Sequence, residues 1–92
     1  QDVLQTHYLL KTKEKIKMDS ITNRVLEIIE TELETKLELS QDLFDNGLDS
    51  LGVLRLLAML EDEFSIVIPD EELVLENFQT PKNLVDLVEK YV

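Results

Sequence analysis

The sequence contains no cysteine and no tryptophan, and it has only two glycines and two prolines among 92 residues. Without cysteine, the chain forms no disulfide and offers no thiolate ligand to a metal ion. No apolar run approaches the roughly 20 residues that a membrane-spanning helix needs, so we expect no membrane span. The amino end lacks the continuous apolar segment of a signal peptide, which favours a cytoplasmic location.

Groups that catalyse reactions are also scarce. The single histidine, His7, lies near the amino end, and the sequence has no glycine-rich phosphate-binding loop. An enzyme needs several groups held around one substrate. Ser50 has no candidate base near it in the sequence other than Asp49. We therefore expect a protein that is not an enzyme and that binds no metal ion.

The charge is strongly acidic and unevenly distributed. The net charge is −11, yet residues 1–18 carry four lysines against two acids, whereas residues 19–92 carry five basic residues against eighteen acidic ones. A domain this acidic does not bind a nucleic-acid backbone. It repels copies of itself, which favours a monomer, and it attracts partners that have a basic patch. A solvated acidic surface without a partner is the simpler interpretation of the charge.

The length and the change in composition predict one small folded domain. We expect this domain to comprise residues 19–92. Residues 1–18 have alternating lysines and only a faint helical spacing, so they are predicted to be a leader, a linker or an artificial extension.

The first predicted helix follows Asp19-Ser20, either of which can cap it. Its apolar residues recur at spacings of three and four and form one face: Ile21, Val25, Ile28, Ile29 and Leu33. The glutamates of this segment are expected to face water: Glu27, Glu30, Glu32 and Glu34. A long loop follows, in which Leu43 and Phe44 are predicted to fold back as an apolar plug.

The second predicted helix runs from about Leu51 to Phe64 and is apolar over more than half of its circumference. Its main stripe comprises Leu51, Leu54, Leu57, Ala58 and Leu60, and it is widened by Val53, Leu56 and Met59. Such a helix is either central to a bundle or partly exposed for a partner, and the central position is favoured for most of these side chains. The acids Glu61, Asp62 and Glu63 crowd its carboxyl end, where negative charge is unfavourable.

Two further segments complete the predicted bundle. Residues 66–69 are expected to form an extended connector that buries Ile66 and Ile68, and residues 70–75 a helical turn or two. Thr80-Pro81 predicts the start of the last helix, because threonine caps and proline fits the first turn. The buried face of that helix is predicted to comprise Leu84, Val85, Leu87, Val88 and Tyr91. The fold class predicted is an all-α four-helix bundle, with three main helices and one short helix.

Residues 45–57 combine a turn signal with the start of the second helix. Asp45-Asn46-Gly47 predicts a turn, and Asp49-Ser50 comes directly before the apolar stretch. Ser50 is therefore expected where the helix begins, near unpaired backbone N–H groups and the positive end of the helix dipole. A phosphate attached to that hydroxyl would be stabilised there. Plain capping of the helix is the alternative explanation for Asp49-Ser50.

Two stretches of sequence add context to this serine: LFDNGLDSLG at residues 43–52 and LEDEFSIVIPDE at residues 60–71. Together they resemble the acyl carrier protein family, over about residues 20–92, and the most specific part runs from Gly47 to Leu51. The resemblance implies that Ser50 carries a covalent 4′-phosphopantetheine arm, whose thiol holds an acyl or aminoacyl group as a thioester. It also implies three kinds of partner: a phosphopantetheinyl transferase, an adenylating ligase or acyltransferase that loads the thiol, and downstream biosynthetic enzymes.

The same resemblance assigns recognition roles to the neighbours of the serine. Asp49 would orient the hydroxyl or help a metal-dependent transferase to engage it. Leu51 would be an apolar docking contact on the second helix, and Leu48 a second one. Core packing is the alternative for both leucines, and it is the favoured explanation for Leu48.

Two positions differ from the usual pattern of fatty-acid carriers. These carriers usually have an acid two residues after the serine and a glutamate five residues after it, where this chain has Gly52 and Arg55. We therefore count Arg55 among the docking residues and do not expect docking to fatty-acid synthase enzymes. The stretch FQTPKNL at residues 78–84 instead resembles D-alanyl carrier proteins and stand-alone aminoacyl or peptidyl carriers. An aminoacyl or specialised acyl carrier is the favoured interpretation.

One alternative of another class stays open at this point. The chain would then be an acidic helical interaction module without a prosthetic group. Ser50 would only cap the second helix, and the broad apolar face of that helix would bind a partner helix.

Overall fold

The computed structural model describes residues 21–92, in which three α-helices are joined by irregular segments. Helix α1 covers residues 21–33, α2 runs Ser50–Phe64 and α3 runs Pro81–Glu89. Two 3-10 helices, Asp70–Glu72 and Leu75–Phe78, replace the single short helix predicted over residues 70–75. Residues 21–92 contain no strand, which confirms the all-α prediction. The predicted segment 1–18 and the cap at Asp19-Ser20 lie outside the described residues.

One apolar core joins the three helices to the loops between them. Its buried members are Val25, Ile29, Leu37, Leu43, Leu48, Leu56, Leu60, Ile68, Phe78, Leu84, Val85, Leu87 and Val88. The predicted buried faces of α1 and α3 are confirmed, and Leu43 forms the predicted plug with no exposed surface. No helix within residues 21–92 has the length and apolar character that crossing a membrane requires.

Helix α2 faces the core with a different stripe from the one predicted. Gly52, Leu56 and Leu60 are buried, at a spacing of four residues that keeps them on one face. Leu51 and Leu54, predicted to be part of the main core stripe, are 59% and 55% exposed. Ala58 is exposed as well. The prediction was wrong here because apolar residues surround most of this helix, so their spacing does not decide which face is inside.

Four glutamates of the first helical segment were predicted to face water, and two of them do not. Glu27 and Glu34 are exposed, but Glu30 and Glu32 are partly buried. The Glu30 carboxylate accepts a hydrogen bond from the backbone N–H of Leu37 at 2.9 Å, which ties the loop to the end of α1. The Glu32 carboxylate accepts a hydrogen bond from Nε of Arg55 on α2 at 2.8 Å.

Two of the three acids at the carboxyl end of α2, Glu61 and Glu63, have specific partners. The Glu61 carboxylate accepts a hydrogen bond from the backbone N–H of Ile68 at 2.8 Å, which holds the connector against the helix. Glu63 accepts two hydrogen bonds from Arg24 of α1, at 3.0 and 2.7 Å. These contacts explain why acids occupy a position that the helix dipole disfavours.

Helix α3 begins as the sequence predicts. The Thr80 side chain accepts a hydrogen bond from the backbone N–H of Asn83 at 3.1 Å, and Pro81 occupies the first turn. At its other end, the Glu72 carboxylate accepts hydrogen bonds from the Tyr91 hydroxyl at 2.6 Å and from Lys90 at 2.9 Å. These contacts attach the first 3-10 helix to the end of α3.

Candidate functional site

A tight turn leads the chain into α2. Backbone N–H groups of Asn46 and Leu48 both donate to the carbonyl of Leu43, each at 3.0 Å. Gly47 adopts a φ of +106°, a conformation that other residues rarely take. The turn therefore depends on glycine at this position, which explains the Asp-Asn-Gly signal in the sequence.

Hydrogen bonds attach this turn to the segment before α3. The backbone N–H of Leu43 donates to the carbonyl of Gln79 at 2.7 Å. The Asp42 carboxylate accepts from the backbone N–H of Asp45 at 2.9 Å and from the Gln79 side chain at 3.2 Å. These two bonds, that from Asp45 first, lower the pKa of Asp42 below its ordinary value. These hydrogen bonds thus connect the turn before α2 to Gln79, in the segment before α3.

Asp49 is the residue that caps α2. Its carboxylate accepts a hydrogen bond from the backbone N–H of Gly52 at 2.8 Å, and its own backbone is extended, as at an N-cap. Ser50 follows as the first residue of the helix and is exposed. Because Asp49 serves as the cap, capping does not explain the serine at position 50.

The exposed residues in the amino-terminal half of α2 form a continuous face. They are Ser50, Leu51, Leu54, Arg55 and Ala58, which we call the α2 outer face. Their spacing of one and four residues places them side by side on the helix. The predicted docking residues Leu51 and Arg55 therefore lie together beside Ser50. Leu48 is only 5% exposed and belongs to the core, which favours packing over docking for this residue.

Arg55 is held by a residue that the sequence did not point to. The pKa of Arg55 is raised above its ordinary value, mainly by the hydrogen bond from its Nε to Glu32. The negative charge of Glu32 adds to this effect, and that of Asp49 contributes less. A Cβ atom at Gly52 would lie 3.2 Å from the Asp49 carboxylate and 3.8 Å from that of Glu32. Glu32 therefore lies over the first turn of α2, although its position in the sequence indicates a solvated residue.

A small apolar cleft opens beside the same end of α2. Its volume is about 120 Å³, and it is lined by Phe44, Val53, Leu73, Val74, Leu75 and Phe78. Val53 lies three residues after Ser50, so the cleft begins within one turn of that serine. The sequence indicated Phe44 as part of a plug but did not indicate a cavity. Among residues 21–92, no group of three or more acidic or histidine side chains is placed to hold a metal ion.

Comparison with known proteins identifies the family. The sequence pattern of the family described as "Phosphopantetheine attachment site" matches residues 23–88, which include α2, the cap and the turn before it. The chain belongs to this family. It is a carrier protein, and covalently bound 4′-phosphopantetheine is its prosthetic group. The alternative of an interaction module without a prosthetic group does not agree with this membership.

Two curated relatives of this carrier protein are carrier proteins themselves. It is 31% identical over 75 residues to aminoacyl carrier protein 2 of Bradyrhizobium diazoefficiens, a match that covers 75% of this chain and 83% of the relative. It is 34% identical over 76 residues to an acyl carrier protein of Buchnera aphidicola, over 83% of this chain and 91% of the relative. The resemblance stated from the sequence is thereby confirmed at the level of the family.

Two solved structures resemble this carrier protein in fold. Both are crystal structures of the Bradyrhizobium japonicum glycine:[carrier protein] ligase in complex with a carrier protein. The first contains the cognate carrier protein and an analogue of glycyl adenylate. Its match has a TM-score of 0.66 at 29% identity, and it covers 76% of this chain and 97% of that one. In the second, which contains the glycylated carrier protein, the TM-score is 0.61 at 29% identity, over 73% and 97% of the two chains. The helical carrier fold is therefore confirmed.

Proposed function

We propose that Ser50 is the residue to which the phosphopantetheine arm is attached. The observation that carries this proposal is the exposed position of Ser50 as the first residue of α2, within the stretch that matches the family. The phosphate of the arm would lie near the N–H groups of the first helical turn, where the helix dipole favours negative charge. The residues around Ser50 therefore suit the group chemically.

Attachment replaces one bond to phosphorus by another. The Ser50 Oγ forms a phosphodiester with the pantetheine phosphate of coenzyme A, while the pyrophosphate bond of coenzyme A breaks. The nucleotide leaves as adenosine 3′,5′-bisphosphate, and the hydroxyl proton passes to a base of the transferase. Asp49 positions the reacting group indirectly, because it caps the turn from which Ser50 projects. The arm, once attached, provides a thiol that holds an acyl or aminoacyl group as a thioester.

The test is intact-mass measurement after incubation with coenzyme A, magnesium and a phosphopantetheinyl transferase of broad specificity. We expect the wild type to gain one phosphopantetheine group and Ser50→Ala to gain none. Ser40→Ala is the matched control, since Ser40 is an exposed serine of the preceding loop, and it should be modified like the wild type. A wild type that never becomes heavier, or a modified Ser50→Ala, would refute the assignment.

We further propose that partner enzymes dock on the α2 outer face. Leu51 and Leu54 expose more than half of their surface, an arrangement that favours recognition over core packing. A transferase or ligase that acts at Ser50 must approach along this face, because the other side of α2 is packed into the core. The contacts that we assign to docking on this face are Leu51 and Leu54.

The cargo we propose is an aminoacyl group or a short acyl group, loaded by an adenylating ligase. Support comes from the aminoacyl carrier relative and from two structural neighbours that were solved with a glycine ligase. The apolar cleft beside α2 has a volume of only about 120 Å³, which favours a short group over a long acyl chain.

A loading assay tests this cargo. The holo protein is incubated with ATP and a panel of adenylating enzymes, each with its amino acid or fatty acid, and thioester formation is followed by mass. We expect loading by at least one amino-acid ligase and slower loading by long-chain acyl ligases. Preferential loading with long acyl chains would contradict the proposed cargo. In this scheme the carrier is not an enzyme, and its exchanges take place in the cytoplasm, where coenzyme A and ATP are supplied.

A further inference from the structure

Two ion pairs connect α1 to α2, one at each end of their contact. At the carboxyl end of α2, Arg24 of α1 pairs with Glu63 of α2 at 2.7 Å. Near the amino end of α2, the charges are reversed, and Glu32 of α1 pairs with Arg55 of α2 at 2.8 Å. The two pairs have similar chemistry, but only the second lies beside the proposed attachment site.

The second pair lies directly over the cap of α2. A Cβ atom at Gly52 would lie 3.8 Å from the Glu32 carboxylate and 3.2 Å from that of Asp49, so these two oxygen atoms are about 7 Å apart or less. Two carboxylates that close repel each other unless a cation lies between them or beside them. Arg55 supplies that cation, since it bonds to Glu32 and is also attracted by Asp49.

We propose that Arg55 is a positioning residue for Ser50 and that it acts through its ion pair with Glu32. Arg55 neutralises Glu32 at the first turn of α2, so that Asp49 keeps its hydrogen bond to Gly52 and the helix begins at Ser50. Glycine at position 52 is part of this arrangement, because a side chain there would contact both carboxylates and would lie only 2.8 Å from Leu48. The inference rests on the proposed role of Ser50, and it replaces a direct docking role for Arg55.

The arrangement makes the effects of the two substitutions unequal. Arg55→Gln leaves the Glu32 and Asp49 carboxylates near Gly52 without a neighbouring cation, so their repulsion weakens the cap. Glu32→Gln removes one of the two carboxylates and leaves Arg55 near Asp49, so the cap is kept. The double variant Glu32→Gln/Arg55→Gln has neither the cation nor the repulsion, and it should therefore recover most of what Arg55→Gln loses.

The first measurement is hydrogen exchange of the Gly52 amide by NMR in the apo protein. We expect protection of this amide to fall roughly two- to fivefold in Arg55→Gln, the range that measured ion pairs of this exposure produce, and to return in the double variant. Arg24→Gln is the matched control, because it breaks the equivalent pair at the far end of α2. It should leave the Gly52 amide unchanged.

The second measurement is the rate of arm transfer from coenzyme A by a broad phosphopantetheinyl transferase, with kcat and KM determined separately. We expect Arg55→Gln to lower kcat by at most the factor by which Gly52 protection falls, and the double variant to regain it. A slower Arg55→Gln with unchanged Gly52 protection, or a double variant as slow as Arg55→Gln, would show direct docking and overturn the proposal. If the wild type accepts no arm, the role of Ser50 fails, and the exchange measurement still tests the positioning by itself.

Discussion

Leu51 and Leu56 provide a direct test of how α2 is oriented. They are the same residue type, five positions apart on one helix, yet Leu51 is 59% exposed and Leu56 is fully buried. The substitutions Leu51→Ala and Leu56→Ala therefore change the same atoms in two environments. The sequence alone placed Leu51 in the main core stripe, so the test also separates the observed orientation from the predicted one.

The expected magnitudes follow from the two exposures. Leu56→Ala removes a fully buried side chain and leaves a cavity, which costs about 3 kcal/mol of unfolding free energy. Complete burial of a leucine side chain contributes about 2 kcal/mol to the unfolding free energy. Leu51 has about two fifths of its surface removed from water, so its truncation should cost about 0.8 kcal/mol. Water fills the space at position 51, and no cavity term is added there.

Urea unfolding of the apo protein, followed by far-ultraviolet circular dichroism, measures both values. With a slope of about 1 kcal/mol per molar urea for so small a domain, Leu56→Ala should lower the midpoint by about 3 M and Leu51→Ala by less than 1 M. Arm transfer should show the opposite order, with Leu51→Ala slowed and Leu56→Ala unchanged while it is folded. Leu54→Ala, at 55% exposure, is the control that should follow Leu51→Ala. Equal losses of stability at positions 51 and 56 would refute the orientation of α2.

Three further predictions concern the ends of helices and the total charge. Thr80→Ala should lower the unfolding free energy by about 1 kcal/mol and speed hydrogen exchange of the Asn83 amide, because the cap of α3 is lost. An unchanged exchange rate of this amide would show that Thr80 does not cap the helix. The hydrogen bond to Glu72 raises the pKa of Tyr91 from 10.0 to about 12 and lowers the pKa of Glu72 below 4.5. The pair should therefore stabilise the fold between these limits, and its contribution should be lost as the pH rises through about 12 or falls through the lowered pKa of Glu72. In Tyr8→Phe, which leaves Tyr91 as the single tyrosine, titration of phenolate absorbance should give a pKa of about 12, and the ordinary value would disprove the bond. Residues 19–92 contain eighteen acidic and only five basic residues, so their charges repel one another. Added salt or millimolar magnesium should screen this repulsion and raise the melting temperature, and an unchanged melting temperature would argue against it.

Local signals in the sequence were sufficient for much of the fold. The core faces of α1 and α3 follow from apolar residues at helical spacing, because the other sides of these helices are polar enough to decide the orientation. Thr80-Pro81 marks the start of α3, and Asp49 with Gly47 marks the turn into α2. These are contacts within a few residues of one another, so composition and spacing contain the information.

Contacts between distant residues were not predictable in the same way. Glu32 and Arg55 are 23 positions apart, and Arg24 and Glu63 are 39 apart. Nothing in the local sequence of Glu32 distinguishes it from Glu27, which is exposed. Only the packing of α1 against α2 determines which acid of α1 meets the arginine. The site proposed at Ser50 therefore combines local residues, which the sequence could suggest, with Glu32 of another helix, which it could not.

The failure at α2 has a physical cause that concerns function. Gly52, Leu56 and Leu60 pack into the core, whereas Leu51, Leu54 and Ala58 lie on the outside of the same helix. A helix that serves only the core has polar residues on its outer side, and its apolar spacing then shows how it is oriented. A helix that also meets partner enzymes is apolar on both sides, so the spacing loses this information. The ambiguity in the sequence of α2 thus agrees with the proposal that partner enzymes dock on its outer face.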